Sequence, residues 1–417
     1  MKILLVNTSD IQGGAARAAY RLHKSLLAQN IESQMLVQNK SSDDFTVKTI
    51  ANTKLQKFTD KLRPYLNNIP LKFYKKRNKI LFSTSIFGSK TVIDKINECN
   101  PDIVHLHWIC GGMLKIEDLS KIKVPIIWSM HDDFAFTGGC HIKWQCEGYK
   151  NNCGNCEVLK SNKEKDLSRW VWHRKNKTFL KMNNLIINGL SKWIMNCSKE
   201  SSLLKNKKHV NLPNPLDTNI YKSFNKKNSR ELWNLPKDKK LVLFGAMDAV
   251  SDINKGFREL SEAIKKLDKN NNIELVVFGS NKPRNEPDFR FKVHYLGHLH
   301  DDVSLVILYS AVDVMIVPSL QEAFGQTAIE SMACETPVVA FATSGLLDIV
   351  DHQKNGYLAK PFDTIDLKDG IEWIINLDVE KYNKLCKNAR EKVLKEFDSV
   401  VVANKYIKLY QDILDAK

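Results

Sequence analysis

Short apolar runs in this chain alternate with longer stretches whose apolar residues recur every three to four positions. Residues 2–6 read as a buried strand, 7–14 as a loop, and 15–29, rich in Ala and Leu, as a helix. The strand pattern returns at 103–107, 125–129 and 185–189. A run dense in turn formers, 211–218, closes this first series. A second series follows a basic stretch, with strands expected at 240–244, 273–278, 293–296, 313–317 and 337–341. A long helical pattern then runs to the end of the chain. Continuous apolar strands separated by helical segments indicate parallel sheets covered on both faces. No period of solenoid type is present.

Length and charge narrow the class. The 417 residues suffice for two domains, each with its own core, and 43% hydrophobic content is ordinary for a globular protein. No apolar run approaches the ~20 residues needed to span a bilayer. Ile3-Leu4-Leu5-Val6 is too short for a signal peptide and leads straight into Asn7-Thr8-Ser9-Asp10. The expectation is a cytoplasmic protein with reduced cysteines. The 63 basic and 47 acidic residues leave a net charge of +16. That excess suits an anionic partner or surface, and equally a set of solvated lysine-rich faces.

The densest chemistry lies between residues 317 and 340. Seven residues separate Glu322 from Glu330, with Phe324-Gly325 between them. Pro318-Ser319 ends the strand before them, and an Ala/Ile/Met-rich helix opens at Thr327. Glu322 is therefore expected in the loop at the strand's carboxyl edge, and Glu330 about one turn into the helix. Ligands bind in that crevice of open α/β sheets. The helix N-terminus offers free N–H groups to a diphosphate, and carboxylates accept hydrogen bonds from hydroxyls. Together these suit a nucleotide carrying a sugar.

This passage resembles the E-x7-E signature of retaining glycosyltransferases of family 4. Pro-Ser stands before the first glutamate, Phe-Gly after it, and Met-Ala with Pro-Val-Val after the second. Glu335 departs from the pattern, since the family usually has glycine there. The resemblance implies a GT-B fold of two Rossmann-like, doubly wound parallel-sheet domains facing a central cleft. Residues 1–217, joined by a last helix at about 400–417, would form the acceptor domain, and 218–399 the nucleotide-sugar domain. The 211–218 segment resembles the family's passage between domains.

The resemblance also implies roles for individual residues. Glu322 would hydrogen-bond the transferred sugar, with Ser319 and the backbone N–H groups of Phe324, Gly325, Gln326 and Thr327 helping to hold the donor. Glu330 would bind the ribose. Lys255, in Asn-Lys-Gly-Phe after a strand, would offset charge on the diphosphate. The family often has an arginine shortly before that lysine, and 245–254 contains none. Gly279 and Leu299 resemble the loops that hold the base, and Ser344-Gly345 the next family loop, with Asp348 where Glu is commoner. Gly13-Gly14, before a helix with Arg17 and Arg21, resembles the family's glycine loop, although a helix-entry turn would look the same. His131, off the end of a strand, resembles the histidine that orients the sugar. His105 and His107 read as packing or supporting residues.

Two further features stand apart. Cys140, Cys146, Cys153 and Cys156 crowd one segment, ending in C-x2-C with glycine inside. The spacing admits structural zinc, with His141 as a substitute ligand, or free thiols, or disulfides. Catalytic zinc is excluded by four ligands that leave no open position. Residues 54–79 hold nine basic residues against Asp60 alone, with Phe58, Tyr65, Phe73 and Tyr74 interleaved. Residues 159–181 are also basic and hold Trp170 and Trp172. Such mixtures suit an anionic membrane or a lipid diphosphate, and no RNA-binding motif accompanies them. The chain is thus expected to be a retaining, metal-independent glycosyltransferase at the inner face of the cell membrane. Its donor would be UDP- or GDP-linked, and its acceptor a saccharide, lipid-linked, of cell-surface polysaccharide. A nucleotide-sugar epimerase of the same fold and a non-catalytic saccharide- or lipid-binding protein are the alternatives.

Overall fold

The computed structural model describes residues 1–245, 252–268, 272–282, 288–299 and 301–416. The chain divides into two compact units: Met1–Pro215 with Val402–Lys417, and Leu216–Val401. Each holds one sheet whose strands all pair in parallel.

In the first unit the strands are β1 (Lys2–Ser9), β2 (Glu32–Asn39), β3 (Val47–Thr49), β4 (Ile103–Leu106), β5 (Ile126–Met130), β6 (Leu185–Gly189) and β7 (Lys208–Asn211). Their spatial order is β3-β2-β1-β4-β5-β6-β7. In the second unit β8 (Lys240–Gly245), β9 (Ile273–Phe278), β10 (Val293–Tyr295), β11 (Val314–Val317), β12 (Val338–Phe341) and β13 (Gly356–Ala359) lie in the order β10-β9-β8-β11-β12-β13. Both orders follow the doubly wound pattern, in which strand order reverses beside the unit's first strand. The reversal points fall between β1 and β4 and between β8 and β11.

The central strands β4, β5, β6, β11 and β12 are buried at every position, which is why they read as unbroken apolar runs. Strands β2, β3, β7 and β13 are absent from the expectation. In β2, Ser33 and Gln38 are buried, and their polar atoms are taken by distant partners. Ser33 Oγ lies 2.8 Å from His23 Nδ1, and Gln38 Nε2 donates to the Gly111 carbonyl at 3.2 Å. No hydropathy pattern reveals such pairings. β7 is an edge strand without a fully buried residue.

Helix Ser399–Asp415 closes the first unit by placing Val402, Tyr406, Leu409, Tyr410 and Ile413 against Ile3, Leu5, Ile103 and Ile127. Its two tyrosines reach polar groups inside that core. The Tyr410 hydroxyl is 2.8 Å from His105 Nδ1, and Asn188 Nδ2 donates to the Tyr406 hydroxyl at 2.9 Å.

Candidate active site

The second unit assembles its candidate residues at the reversal point. Lys255 follows β8 and Glu322 follows β11, so two segments distant in sequence meet at the carboxyl edge of adjacent strands. Lys255 Nζ donates to Glu322 Oε1 at 2.7 Å, and Ser319 Oγ donates to the same oxygen at 2.9 Å. Burial alone would depress the lysine's pKa. The Glu322 carboxylate outweighs it and holds Lys255 above the ordinary lysine range.

Backbone contacts fix this arrangement. Gly256 has φ +69°, and a Cβ there would stand 1.9 Å from the Pro318 carbonyl oxygen. Only glycine brings Lys255 so close to the strand end. Leu320 N donates to the Asn254 carbonyl at 2.9 Å, and Asn254 Nδ2 to the Gln321 carbonyl at 2.8 Å. On the other flank Glu322 N donates to Ser344 Oγ at 2.8 Å, and Gly345 N to the Glu322 carbonyl at 2.9 Å. Residues 246–251, part of the arginine-free stretch 245–254, lie outside the described residues.

The loop turns into helix Gln326–Ala333 at Gly325, whose φ is +119°. No side chain caps this helix N-terminus. Phe324 is buried and meets the Phe397 ring edge-on at 5.5 Å. Glu330, a turn into the helix, is only 3% exposed and accepts the Tyr309 hydroxyl at 3.0 Å. The carboxylate therefore lies beneath the surface, deeper than a solvated loop-helix glutamate. Glu335 has φ +62°. Its place in the pattern where glycine is usual is thus a left-handed position, which costs a non-glycine residue roughly 1–2 kcal/mol. Gly279 (φ +77°) donates its N–H to the Gly297 carbonyl at 2.7 Å, joining the loops after β9 and β10. Leu299, half-buried, follows in the second of these loops.

In the first unit Gly13 and Gly14 lead into helix Gly14–Ala28 after β1. Gly13 has φ +99°, and a Cβ at either glycine would meet nothing within 4 Å. The backbone there faces open space. His131 follows β5, and its Nε2 is 2.9 Å from His107 Nδ1. His107 stacks on His105 at 4.4 Å between ring centroids. His105 in turn bonds Tyr410 and, through Nε2, Ser129 Oγ at 2.8 Å. Burial holds all three imidazoles neutral, lowering His131 to about 4, His105 to about 3 and His107 well below the ordinary value. The orientation of His131 is thus set by a chain of uncharged rings reaching the last helix. His107 Nε2 is buried without a hydrogen-bond partner.

The next residue anchors a contact that local sequence patterns do not reveal. Asp132 Oδ2 lies 2.6 Å from His141 Nδ1 and accepts Trp108 Nε1 at 2.8 Å. His141 Nε2 lies 2.8 Å from Ser83 Oγ. Both ring nitrogens of His141 are engaged by protein, which removes it as a substitute metal ligand. Lys175, fully buried, donates to the Phe134 carbonyl and, at 3.0 Å, to the Thr137 carbonyl, pinning the loop after β5. Burial lowers its pKa to about 8.

The four loop cysteines are unpaired thiols. Burial and mutual repulsion raise Cys140 well above the ordinary range and Cys153 to about 12, and burial raises Cys156 to about 11 and Cys146 in the same direction. Among the described residues no three His, Cys, Asp or Glu side chains form a group that could hold a metal ion.

Residues 225–392 match the family described as glycosyl transferases group 1. An uncharacterized glycosyltransferase of Methanocaldococcus jannaschii is 30% identical over 206 residues, 48% of this chain and 52% of that protein. The N,N'-diacetylbacillosaminyl-diphospho-undecaprenol alpha-1,3-N-acetylgalactosaminyltransferase of Campylobacter jejuni is 29% identical over 185 residues, 43% of this chain and 47% of that protein. The chain thus spans about half the length of these curated relatives. Sucrose-phosphate synthase from Thermosynechococcus elongatus superposes with a TM-score of 0.71 over 100% of both chains at 19% identity. Anabaena HepE, solved in complex with UDP-glucose, gives 0.64 over 99% of this chain and 100% of its own at 16% identity. At such identities the likeness shows the fold alone. That fold is the GT-B class, with two Rossmann-like parallel-sheet domains.

The buried Asp132–His141 pair makes a prediction about pH. His141 is raised from 6.5 to about 10, burial opposing and Asp132 prevailing. Its contribution to stability is complete below pH 6.5 and fades as pH rises through 10. Asp132 is depressed below 3.8 despite burial, so its contribution is present above that pH and lost as pH falls through the folded value. His141→Gln should cost on the order of 1–3 kcal/mol at neutral pH by removing the cation beside a carboxylate that is 21% exposed and keeps its bonds from Trp108 Nε1 and Phe134 N. It should also flatten the loss of stability on the alkaline side. Denaturant unfolding at a series of pH values checks this, and an unchanged alkaline slope in the variant would assign the titration to another group.

Proposed function

We propose that this chain is a retaining glycosyltransferase. It moves a sugar from a UDP- or GDP-linked donor to a hydroxyl of a saccharide acceptor, lipid-linked, in cell-surface polysaccharide synthesis. One observation carries the reading. Lys255 and Glu322 are paired at the reversal point of a doubly wound sheet, inside the segment that matches group 1 glycosyl transferases. The Campylobacter relative, named for a diphospho-undecaprenol-linked substrate, supports the acceptor class. The UDP-glucose complex of HepE supports the donor class.

In this reading the diphosphate lies against the uncapped N-terminus of helix Gln326–Ala333, where the N–H groups of Phe324–Thr327 and the Lys255 ammonium meet its charge. Ser319 supports Glu322, which accepts hydrogen bonds from the sugar's hydroxyls. Glu330 takes the ribose hydroxyls, with Tyr309 fixing one of its oxygens. The loops at Gly279 and Leu299 hold the base. The acceptor hydroxyl attacks from the face the diphosphate leaves, and the departing diphosphate takes its proton. The bond between the anomeric carbon and the diphosphate oxygen breaks as the new glycosidic bond forms. No residue here is assigned to a catalytic metal. The enzyme would work at the inner face of the cell membrane, where a lipid-linked acceptor lies.

A thermal-shift panel of nucleotide sugars identifies the donor, since a ligand at a hundred times its Kd stabilises by about 2.7 kcal/mol. Release of a changed nucleotide sugar without acceptor would assign the epimerase alternative. Donor binding with no transfer to any acceptor in a cell extract would assign the binding-protein alternative.

Glu330→Ala should weaken nucleotide binding by on the order of 1–3 kcal/mol through the lost ribose contact. Glu322→Ala should lower transfer more than nucleotide binding. Full activity in both variants, measured with the donor from the panel, would remove the donor site from this position. A structural zinc on Cys140, Cys146, Cys153 and Cys156 rests on their spacing alone. Elemental analysis of protein purified under reducing conditions decides it: about one zinc per chain would require the four thiols to close on the ion, and transfer should survive EDTA in either case. A zinc-free protein would leave four free thiols.

A further inference from the structure

Helix Lys54–Asn67 is mounted with its polarity reversed. Its buried residues are Asp60, Arg63 and Asn67, a polar stripe at helical spacing. Arg63 pairs with Asp60, donates Nε to the Gly112 carbonyl at 2.6 Å, and donates to Gln38 Oε1 at 3.2 Å. Asn67 Oδ1 accepts Ile86 N at 2.8 Å and Phe87 N at 2.9 Å, and Asn67 Nδ2 donates to the Phe87 carbonyl at 2.9 Å. Hydrogen bonds, rather than apolar packing, hold the helix to the first unit.

The opposite face is apolar and bare. Leu55, Phe58, Leu62 and Tyr65 follow one another at three- and four-residue steps, and Ile69 and Phe73 in the next turn continue the stripe. All are exposed, Tyr65 by 74% and Phe73 by 85%. A helix of a globular protein normally turns such a stripe inward. A contiguous apolar patch left outside marks an interaction surface.

Charge selects the partner. Lys54, Lys57, Lys61, Lys72, Lys75 and Lys76 are exposed around the stripe. The single acid between residues 54 and 79, Asp60, is turned inward and paired with Arg63. Two copies meeting through this face would bring lysine against lysine. An anionic surface meets no such repulsion. We propose that this face docks on an anionic lipid bilayer, the apolar stripe entering the headgroup–acyl boundary and the lysines lying among lipid phosphates. Among the described residues no helix is long and apolar enough to cross a membrane. The proposal deepens the reading that places the enzyme at a membrane, and it can fail separately from the transfer reading, because lipid binding and donor binding are measured separately.

Co-sedimentation of the full chain with vesicles tests it, using phosphatidylglycerol mixed with phosphatidylcholine against phosphatidylcholine alone. Binding to the anionic vesicles, little to the neutral ones, and weakening at physiological salt, where the Debye length is about 8 Å, are expected. Phe58→Ser with Phe73→Ser, and separately Lys72→Glu with Lys75→Glu and Lys76→Glu, should each lower binding on the order of tenfold or more. All five positions are exposed, so far-ultraviolet circular dichroism and the nucleotide-induced melting shift should match the parent. No binding to anionic vesicles at low salt, equal binding to neutral ones, or parental binding by both variants would overturn the proposal. So would a dimer that binds no lipid and is abolished by the Phe58 and Phe73 changes, which would put a second copy on this face.

Discussion

Glu322 and Lys255 form an ion pair of 2.7 Å at the carboxyl edge of the second sheet, and the surrounding structure holds it there. Both side chains are half-buried, at 19% and 24% exposure, so the desolvation that burial imposes on the lysine offsets part of the pair's attraction. The arrangement is held by backbone contacts instead. Any side chain at Gly256 collides with the Pro318 carbonyl, and Asn254, Ser344 and Gly345 bind the loop from both flanks. An ammonium and a carboxylate fixed in advance at a strand edge need little ordering when a charged ligand arrives. This local rigidity makes the pair a candidate for function rather than for folding.

Both sheets use the same winding, and that order decides which residues can meet. In the second unit the first-strand loop carries Lys255 and the fourth-strand loop carries Glu322. In the first unit the corresponding loops carry Gly13-Gly14 and the residues after His107. The first unit adds a polar interior unusual for a parallel sheet. Three neutral histidines run from His131 to Tyr410 of the last helix, and Asp132 is locked to His141 beside them. Lys175, held on two carbonyls, keeps the following loop in place. Contacts thus run without a break from Tyr410 of the last helix to His131.

Much of this was legible in the chain. The buried strands announce themselves because parallel sheets are covered on both faces, and the Glu322 loop with Glu330 a turn into the next helix follows from where the apolar run stops and the helical period begins. Glu335 reads as a departure, and its positive φ shows what glycine would supply there. Other features were not legible, because their cause is a partner far away in sequence. Ser33 and Gln38 look like surface residues until His23 and Gly111 are placed beside them. His141 looks like a metal ligand until Asp132 and Ser83 occupy its ring. The reversed helix at 54–67 is half legible: the mixture of lysine and aromatic residues points to an anionic surface, while the inward turn of Asp60, Arg63 and Asn67 is visible only in the fold.

The central claim is that the Lys255 ammonium beside Glu322 receives a nucleoside diphosphate. Titration calorimetry of UDP and of GDP into the parent chain and into Lys255→Ala tests it most directly. The account predicts that one of the two nucleotides binds the parent, and that the variant loses on the order of tenfold or more in affinity, as expected for one charge-assisted hydrogen bond of about 1.5–3 kcal/mol. Equal affinities in parent and variant, or no binding of either nucleotide to the parent, would contradict it.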